Sequence, residues 1–344
     1  MTNDKSASPE ALPALSAGLP RRKLLQGAVS LAVFPSLLAS TARAQSWPEK
    51  PVRFVLSQPA GSGPDNVARI IGERLGKSLG QPLVMDNKPG GQNVIGAQTA
   101  ARAAPDGYTF YFATTAALVT NAYLFKSMPY DPQKDFVPVA FVGKSPFAVL
   151  VRADSPVQSL QDLLARAKAS AGKVSLGNEG PRTFSGMIAR FLNARSKAEF
   201  NLASYASVSV AVQDAIGGHI DAVVADIAST AQLVRQGRLR MLAVTTASRV
   251  PGWEQVPALA ESFPGFDMSG WFALVAPTGT PKAVIERMNR EFNAATGDRD
   301  TAAKINAAGP LAESGLSADQ VGAFLASEHQ RWAQITKEIG VLPE

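Results

Sequence analysis

The sequence predicts an α/β protein folded as two lobes around a ligand cleft. Three observations carry that expectation. Strand-like apolar runs alternate with helix-like stretches of about ten to fifteen residues, the signature of βαβ units and largely parallel sheets. The series restarts at FAVLVRA, residues 147–153, with enough elements up to about Met268 to form a sheet of its own. Finally, a late strand-like run, WFALVAP at 271–277, is followed by three helices with few strands of their own to cover, so they are expected to pack back on the first lobe.

The elements follow in order. VRFVLS (52–57) precedes a helix around 65–79, and PLVMDN (82–87) precedes another around 93–103. YTFYFAT (108–114) is followed by a short helical stretch to about Phe125, with no element assigned between there and Phe147. In the second series, FAVLVRA leads to a helix at 159–170, then KVSLGN (173–178), a helix near 184–195 and a strand ending near Tyr205. VAVQDAI reads as a helix, IDAVVADI (220–227) as a strand, TAQLVRQ as a helix and RLRMLAVTT (238–246) as a strand. Helices at 281–296, 300–308 and 317–339 close the chain. The expected division is 45–146 for the first part of lobe 1, 147–268 for lobe 2 and 269–344 for the return segment. The chain then crosses between lobes near 145–147 and near 266–270, and Pro146, Pro264 and Gly265 are compatible with those crossings.

Residues 1–44 are set apart from the fold. Arg21-Arg22-Lys23 leads into LLQGAVSLAVFPSLLAS, and Ala42-Arg43-Ala44 offers a small-x-small cut before Gln45. That order reads as an export signal, and the paired arginines followed by Lys-Leu-Leu look like the twin-arginine type. An uncleaved anchor is the alternative, disfavoured by the small residues at the cut and the shortness of the apolar run. Removing the segment takes five basic and two acidic residues, so a formal charge of +6 falls to +3. No Lys/Arg run remains to suit nucleic acid. There are no cysteines and two histidines, His219 and His329, so neither a Cys site nor a His-based metal cluster is expected. His219 reads as a surface loop residue and His329 as a solvated one on a polar helix face.

The loops that leave strands carry what chemistry there is. In SQPAGSGPDN, Gly61 and Gly63 permit φ > 0 and bare the backbone, while Asp65 suits a helix N-cap or first turn. Such a corner is either an anion site made of main-chain N–H groups at a helix start or a tight turn that binds nothing. It has neither the GxGxxG nor the GxxxxGK[ST] spacing, which disfavours nucleotides. ATTAALVTN (113–121) places Thr114 and Thr115 at a strand-to-helix junction, and LGNEGPRTFSG (176–186) does the same with Thr183 and Ser185. Three such loops at one cleft favour binding, because open α/β sheets hold ligands off the carboxyl ends of their strands. Asp226 ends a strand and either points into the cleft or caps the next helix. Tyr205 has a hydroxyl within reach, and NKPGGQN (87–93) is a second glycine-rich corner, read as a structural turn. No nucleophile elbow is present, and any Ser–His–Asp set must recruit one of the two histidines, so an enzyme is not expected.

From about Trp47 to the C-terminus the chain resembles the Bug-type extracytoplasmic solute receptors, the substrate-binding proteins of tripartite tricarboxylate transporters. The resemblance rests on WPEKPVRFVLSQPAGSGPDNVAR, NKPGGQNVIGAQTAARAAPDGYTF, ATTAALVTNAYLF, AVQDAIGGHIDAVVADIAS, GRLRMLAVTTASRVPGWEQVPALAESFPGFD and WFALVAPTGTPKAVIERMN, in that order. It implies a type II periplasmic-binding-protein-like fold with two interlobe crossovers and a ligand cleft. It also implies a small organic carboxylate as ligand, no cofactor, membrane transporter subunits as partners, a monomeric mature protein and a periplasmic location. The ligand-binding positions it implies are Gln58, Ala60, Gly61, Ser62, Gly63 and Asp65 in the first loop, Thr114, Thr115 and Ala116 in the second, Asn178, Glu179, Thr183 and Ser185 in the third, and Tyr205, Ala206 and Asp226 beyond. This chain departs from the family pattern with Ala60-Gly61-Ser62-Gly63, with Pro181-Arg182-Thr183-Phe184-Ser185-Gly186 behind Glu179, and with Tyr205-Ala206-Ser207. A carboxylate bound beside Glu179 would be repelled by about 1 kcal/mol at about 4 Å even in bulk water. Glu179 therefore points away, pairs with Arg182 or meets a cationic part of the ligand. Two further functions stay open: a sensor subunit docking a membrane kinase, and a secreted hydrolase.

Overall fold

The VRFVL run becomes strand β1 (Val52–Leu56), buried at four of its five positions because strands flank it on both sides. Helix α1 (Gly63–Leu79) starts behind Ser62, whose extended backbone makes the N-cap. Pro64 sits in its first turn, where a missing N–H costs nothing, and Gly80 ends it in the left-handed conformation. Strand β2 (Leu83–Asn87), a short turn at Gly91–Asn93, helix α2 (Val94–Ala101) and strand β3 (Thr109–Thr114) follow. After β3 the backbone makes a π-type turn over Ala116–Thr120 and runs into the short helix α3 (Asn121–Leu124). Strand β4 (Phe136–Ser145) completes this part. The computed structural model describes residues 47–343, so the expected export signal lies outside the described residues.

Past Pro146 the chain enters a second sheet. Its elements are β5 (Phe147–Arg152), α4 (Leu160–Ala169), β6 (Ser175–Asn178), α5 (Phe184–Ser196), β7 (Asn201–Ser204), α6 (Val208–Gly217), β8 (Ala222–Asp226), α7 (Ile227–Arg235) and β9 (Leu239–Val244). A short helix α8 (Leu259–Ser262) precedes β10 (Gly270–Pro277), which lies in the first sheet. Helices α9 (Lys282–Gly297) and α10 (Arg299–Ala307), strand β11 (Leu311–Ala312) and helix α11 (Ala318–Glu338) end the chain.

Among the described residues the sheets run β11-β4-β10-β3-β1-β2 and β7-β6-β8-β5-β9, a two-lobed α/β arrangement. The expectation of largely parallel sheets needs correction. β10 is antiparallel to both β3 and β4, and β5 is antiparallel to both β8 and β9. These are the strands by which the chain enters a sheet from the other lobe, so no βαβ crossover dictates their direction. Strand β4 is the longest element for which the sequence gives no expectation. Pro138 inside it argues against a central strand. The structure accommodates it because two-residue β11 pairs only with Gly143 and Lys144, and the β4–β10 register shifts beside Pro138.

The two crossings lie side by side and share one buried residue. Thr245 Oγ1 accepts from the Phe147 amide at 3.2 Å and donates to the Met268 carbonyl at 2.7 Å, and the Met268 amide returns a bond to the Thr245 carbonyl. One apolar core runs through both lobes here, linked by Phe147 against Phe184 and Phe184 against Trp332 of α11. Helix α11 packs on β4 yet also ion-pairs with α5 through Glu338 and Arg195, so it rests on both lobes rather than on the first alone. His329 corrects the solvated-face expectation: it is 8 % exposed and its carbonyl accepts from Tyr123 Oη at 2.6 Å. Burial pushes its imidazole below the usual pKa.

Candidate functional site

The first loop is held from beneath by Asp65. Ser62 is the N-cap of α1, not Asp65, which lies in the first turn at 1 % exposure. Its carboxylate accepts from the Gly61 amide and Arg69 Nε, each at 2.8 Å, and from Asn87 Nδ2 at 3.0 Å. Burial pulls its pKa upward, but those three bonds outweigh it and hold the carboxyl below the ordinary range. The Ser62 amide donates to the Pro59 carbonyl. Two main-chain donors of this corner are thus already committed, which narrows the picture of a cradle of bared amides. The side chains above supply the unpaired atoms instead. Gln58 Oε1 and Ser62 Oγ are buried without a hydrogen-bond partner, while Gln58 Nε2 donates to Asn93 Oδ1. Ala60 is exposed and Gly61 has φ +79°.

The second loop divides its two threonines. Thr115 Oγ1 accepts from the Trp271 amide at 2.8 Å, so that hydroxyl ties β10 to the turn. Thr114 Oγ1, at the end of β3, is buried and unpartnered. Ala116 opens the π-type turn behind it and is itself buried. π-Turns recur where a chain is shaped around a site. The NKPGGQN corner, read from sequence as structural, joins this group. Gln92 and Asn93 adopt left-handed backbones (φ 53° and 79°), and Gln92 Oε1 is another buried oxygen without a partner. Its one signal in the sequence is the Gly90-Gly91 pair just before it.

On the second sheet the third loop is tightly knit. Asn178 is buried, accepting from the Gly180 amide at 2.8 Å and donating to the Ala203 carbonyl at 3.2 Å. Thr183 is the N-cap of α5, accepting from the Gly186 amide. Ser185 Oγ accepts from the Glu179 amide at 3.0 Å and lies 3.1 Å from Thr183 Oγ1. A Cβ on Gly186 would stand 1.9 Å from the Gly180 carbonyl oxygen, so only glycine permits this turn. Tyr205 is held by its amide on the Asn178 carbonyl, and burial together with a bond to Asp214 raises its phenol pKa. Its hydroxyl is thereby engaged with α6. Ala206 is exposed, and Ser207 caps α6. His219 is exposed, as a surface loop residue should be.

Two carboxylates occupy this side. Asp226 caps α7, accepting from the Ser229 amide and hydroxyl at 2.8–2.9 Å. Glu179 is half-buried. Its Oε1 accepts from the Val208 amide at the start of α6 at 3.3 Å, and Oε2 meets Ser185 Oγ at 3.5 Å. Burial, then the nearby Asp226 charge, pushes the Glu179 carboxyl up to about 7. Burial also raises Asp226. Arg182 lies over the Phe125 ring, 5.4 Å from its centroid, and so reaches from the second lobe to the first.

The lobes meet at Gly63. A Cβ placed there would lie 3.0 Å from Ala228 Cβ and 3.2 Å from Asp226 Oδ1. Gly309, after α10, fits as closely against the Ala228 backbone. The first loop therefore abuts the N-terminus of α7, and both sheets turn strand-end loops toward this contact. Residues 67–341 match the model of the tripartite tricarboxylate transporter family receptor. The chain belongs to that receptor family. A protein of Bordetella bronchiseptica, named only as a UPF0065 protein, is 36% identical over 93% of this chain and 96% of its own. BugT of Bordetella pertussis is 32% identical, covering 88% and 93%. Among solved structures, an R. palustris protein with adipate superposes with a TM-score of 0.82 at 28% identity, over 87% of this chain and all of that one. The periplasmic binding protein BugD gives 0.80 at 29%, with the same coverage. The fold is thus that of the Bug/TctC binding proteins, and the function that of a transporter receptor. The family consists of substrate-binding proteins rather than enzymes.

Proposed function

We propose that this receptor captures a small organic carboxylate between its lobes, in the periplasm, and delivers it as a monomer to the membrane subunits of a tripartite transporter. The observation that carries the reading is a group of three buried oxygens without partners, Gln58 Oε1, Ser62 Oγ and Thr114 Oγ1, on the loops that leave β1 and β3 of the first sheet. Buried polar atoms are normally paired, so unpaired ones in a cleft mark where a ligand supplies the bond. Hydroxyls of Ser62 and Thr114 suit a carboxylate as donors. Solved relatives holding adipate in one case support an acid as the ligand class. The proposed lobe limits are 45–146 with 269–344 and 147–268, with crossings near 145–147 and near 266–270, and Ala44/Gln45 is the proposed point of signal removal. Among the described residues no helix is long and apolar enough to cross a membrane.

A panel of organic acids tested by thermal shift checks this. A ligand at one hundred times its Kd stabilises the folded state by about 2.7 kcal/mol. At least one acid is expected to raise the midpoint in that way, and no response to any acid from natively folded protein would overturn the reading.

A further inference from the structure

We infer that the solute carries a positively charged hydrogen-bond donor as well as its acid group, and that Glu179 receives that donor. The inference rests on the receptor reading above and concerns the second-lobe half of the same cleft. The amides at the starts of α5 and α6 are the natural seat there for a ligand's anion. In this chain a resident carboxylate already stands at that seat, with Glu179 bonded to the Val208 amide and beside Ser185 Oγ.

Glu179 is not required as a helix cap. Thr183 already caps α5 and Ser207 already caps α6, each accepting an amide of its own first turn. The Glu179 bonds are long, at 3.3 and 3.5 Å, whereas charged hydrogen bonds close to about 2.7–2.9 Å when they define a structure. Asp226 stands near enough to oppose its ionisation, so the pair is acceptor-rich. Across the contact, the unpartnered Gln58 Oε1 and Gln92 Oε1 are also acceptors only. On the loops that leave β1 and β3, the unpartnered side-chain donors are the Ser62 and Thr114 hydroxyls. An unsymmetrical ligand answers this division: its carboxylate meets the hydroxyls of the first lobe, and an ammonium meets Glu179. A symmetrical dianion such as the adipate of the R. palustris protein would set one carboxylate against Glu179.

Titration calorimetry with matched acids tests this, using glutamate against glutarate, 5-aminopentanoate against pentanoate, and 3-(aminomethyl)benzoate against 3-methylbenzoate. Wild-type protein should bind the amine-bearing member at least tenfold more tightly in one or more pairs. Glu179→Gln should bring that ratio below about threefold while the acid group still binds. Equal or tighter binding of the amine-free member in every pair that binds overturns the inference but leaves the receptor reading intact. A preference unchanged in Glu179→Gln overturns the role of that residue, and absence of binding by acids of either sort overturns both statements. Should the Gln variant not fold, the wild-type ratio alone decides.

Discussion

Asp65 and Glu179 are both acids at helix starts, and their surroundings make them opposites. Asp65 is bonded by Gly61, Arg69 and Asn87, so its folded pKa is depressed and it adds stability above its ordinary pKa, lost as pH falls through the folded value. Glu179 is raised to about 7, which reverses the sign. Below its ordinary pKa it costs nothing, and as pH rises toward about 7 the folded state must ionise a half-buried carboxyl facing Asp226. Wild-type stability should therefore fall relative to Glu179→Gln between about pH 4.5 and 8, by up to about 3 kcal/mol. Urea unfolding of both proteins at the two pH values measures it, and a constant difference would contradict the assignment. The sequence exposes Glu179 as a departure beside a glycine-rich loop. It does not tell that Asp65 would turn inward, because the choice depends on Asn87, twenty-two residues away.

At the scale of elements, Thr245 and Gly63 control how the lobes are joined and how far they approach. Thr245 is 0 % exposed and bonds both crossing strands through one hydroxyl. Replacing it with valine leaves the Phe147 amide without that bond and should cost about 1–3 kcal/mol, read as a lowered urea midpoint, whereas serine should restore most of it. Gly63→Val places a branched side chain where 3.0 Å separates a Cβ from Ala228. The variant should fold normally but lose about 100-fold in ligand affinity by calorimetry, since closure is blocked while each lobe is intact. Affinity at the wild-type level would remove the first loop from the cleft. Most of these elements are legible in the sequence because β1, β3 and β10 are continuous apolar runs bounded by turns. Strand β4 is not, since Pro138 breaks its pattern and only the register shift against β10 makes room for it. The burial of His329 is hidden for a similar reason: its partner Tyr123 comes from a short helix in a distant part of the chain.

For the molecule as a whole, two sheets, two crossings and a contact at Gly63 are the frame on which the proposed closure over a solute rests. Closure removes water, which strengthens each hydrogen bond inside. Alternation of strands and helices reveals the architecture from sequence alone, and the family resemblance adds the cleft. What sequence leaves open is which polar groups are spent on the fold. Thr115, Asn178, Asp65 and the Gly61 amide are spent, while Gln58, Ser62 and Thr114 keep atoms without partners. The central claim is that the Ser62 and Thr114 hydroxyls hold the solute's acid group. Titration calorimetry of the wild type and of the double variant Ser62→Ala/Thr114→Val, using whichever acid binds, tests it most directly. A loss of tenfold or more in affinity with an unchanged unfolding midpoint is predicted, and equal affinity in the two proteins would contradict it.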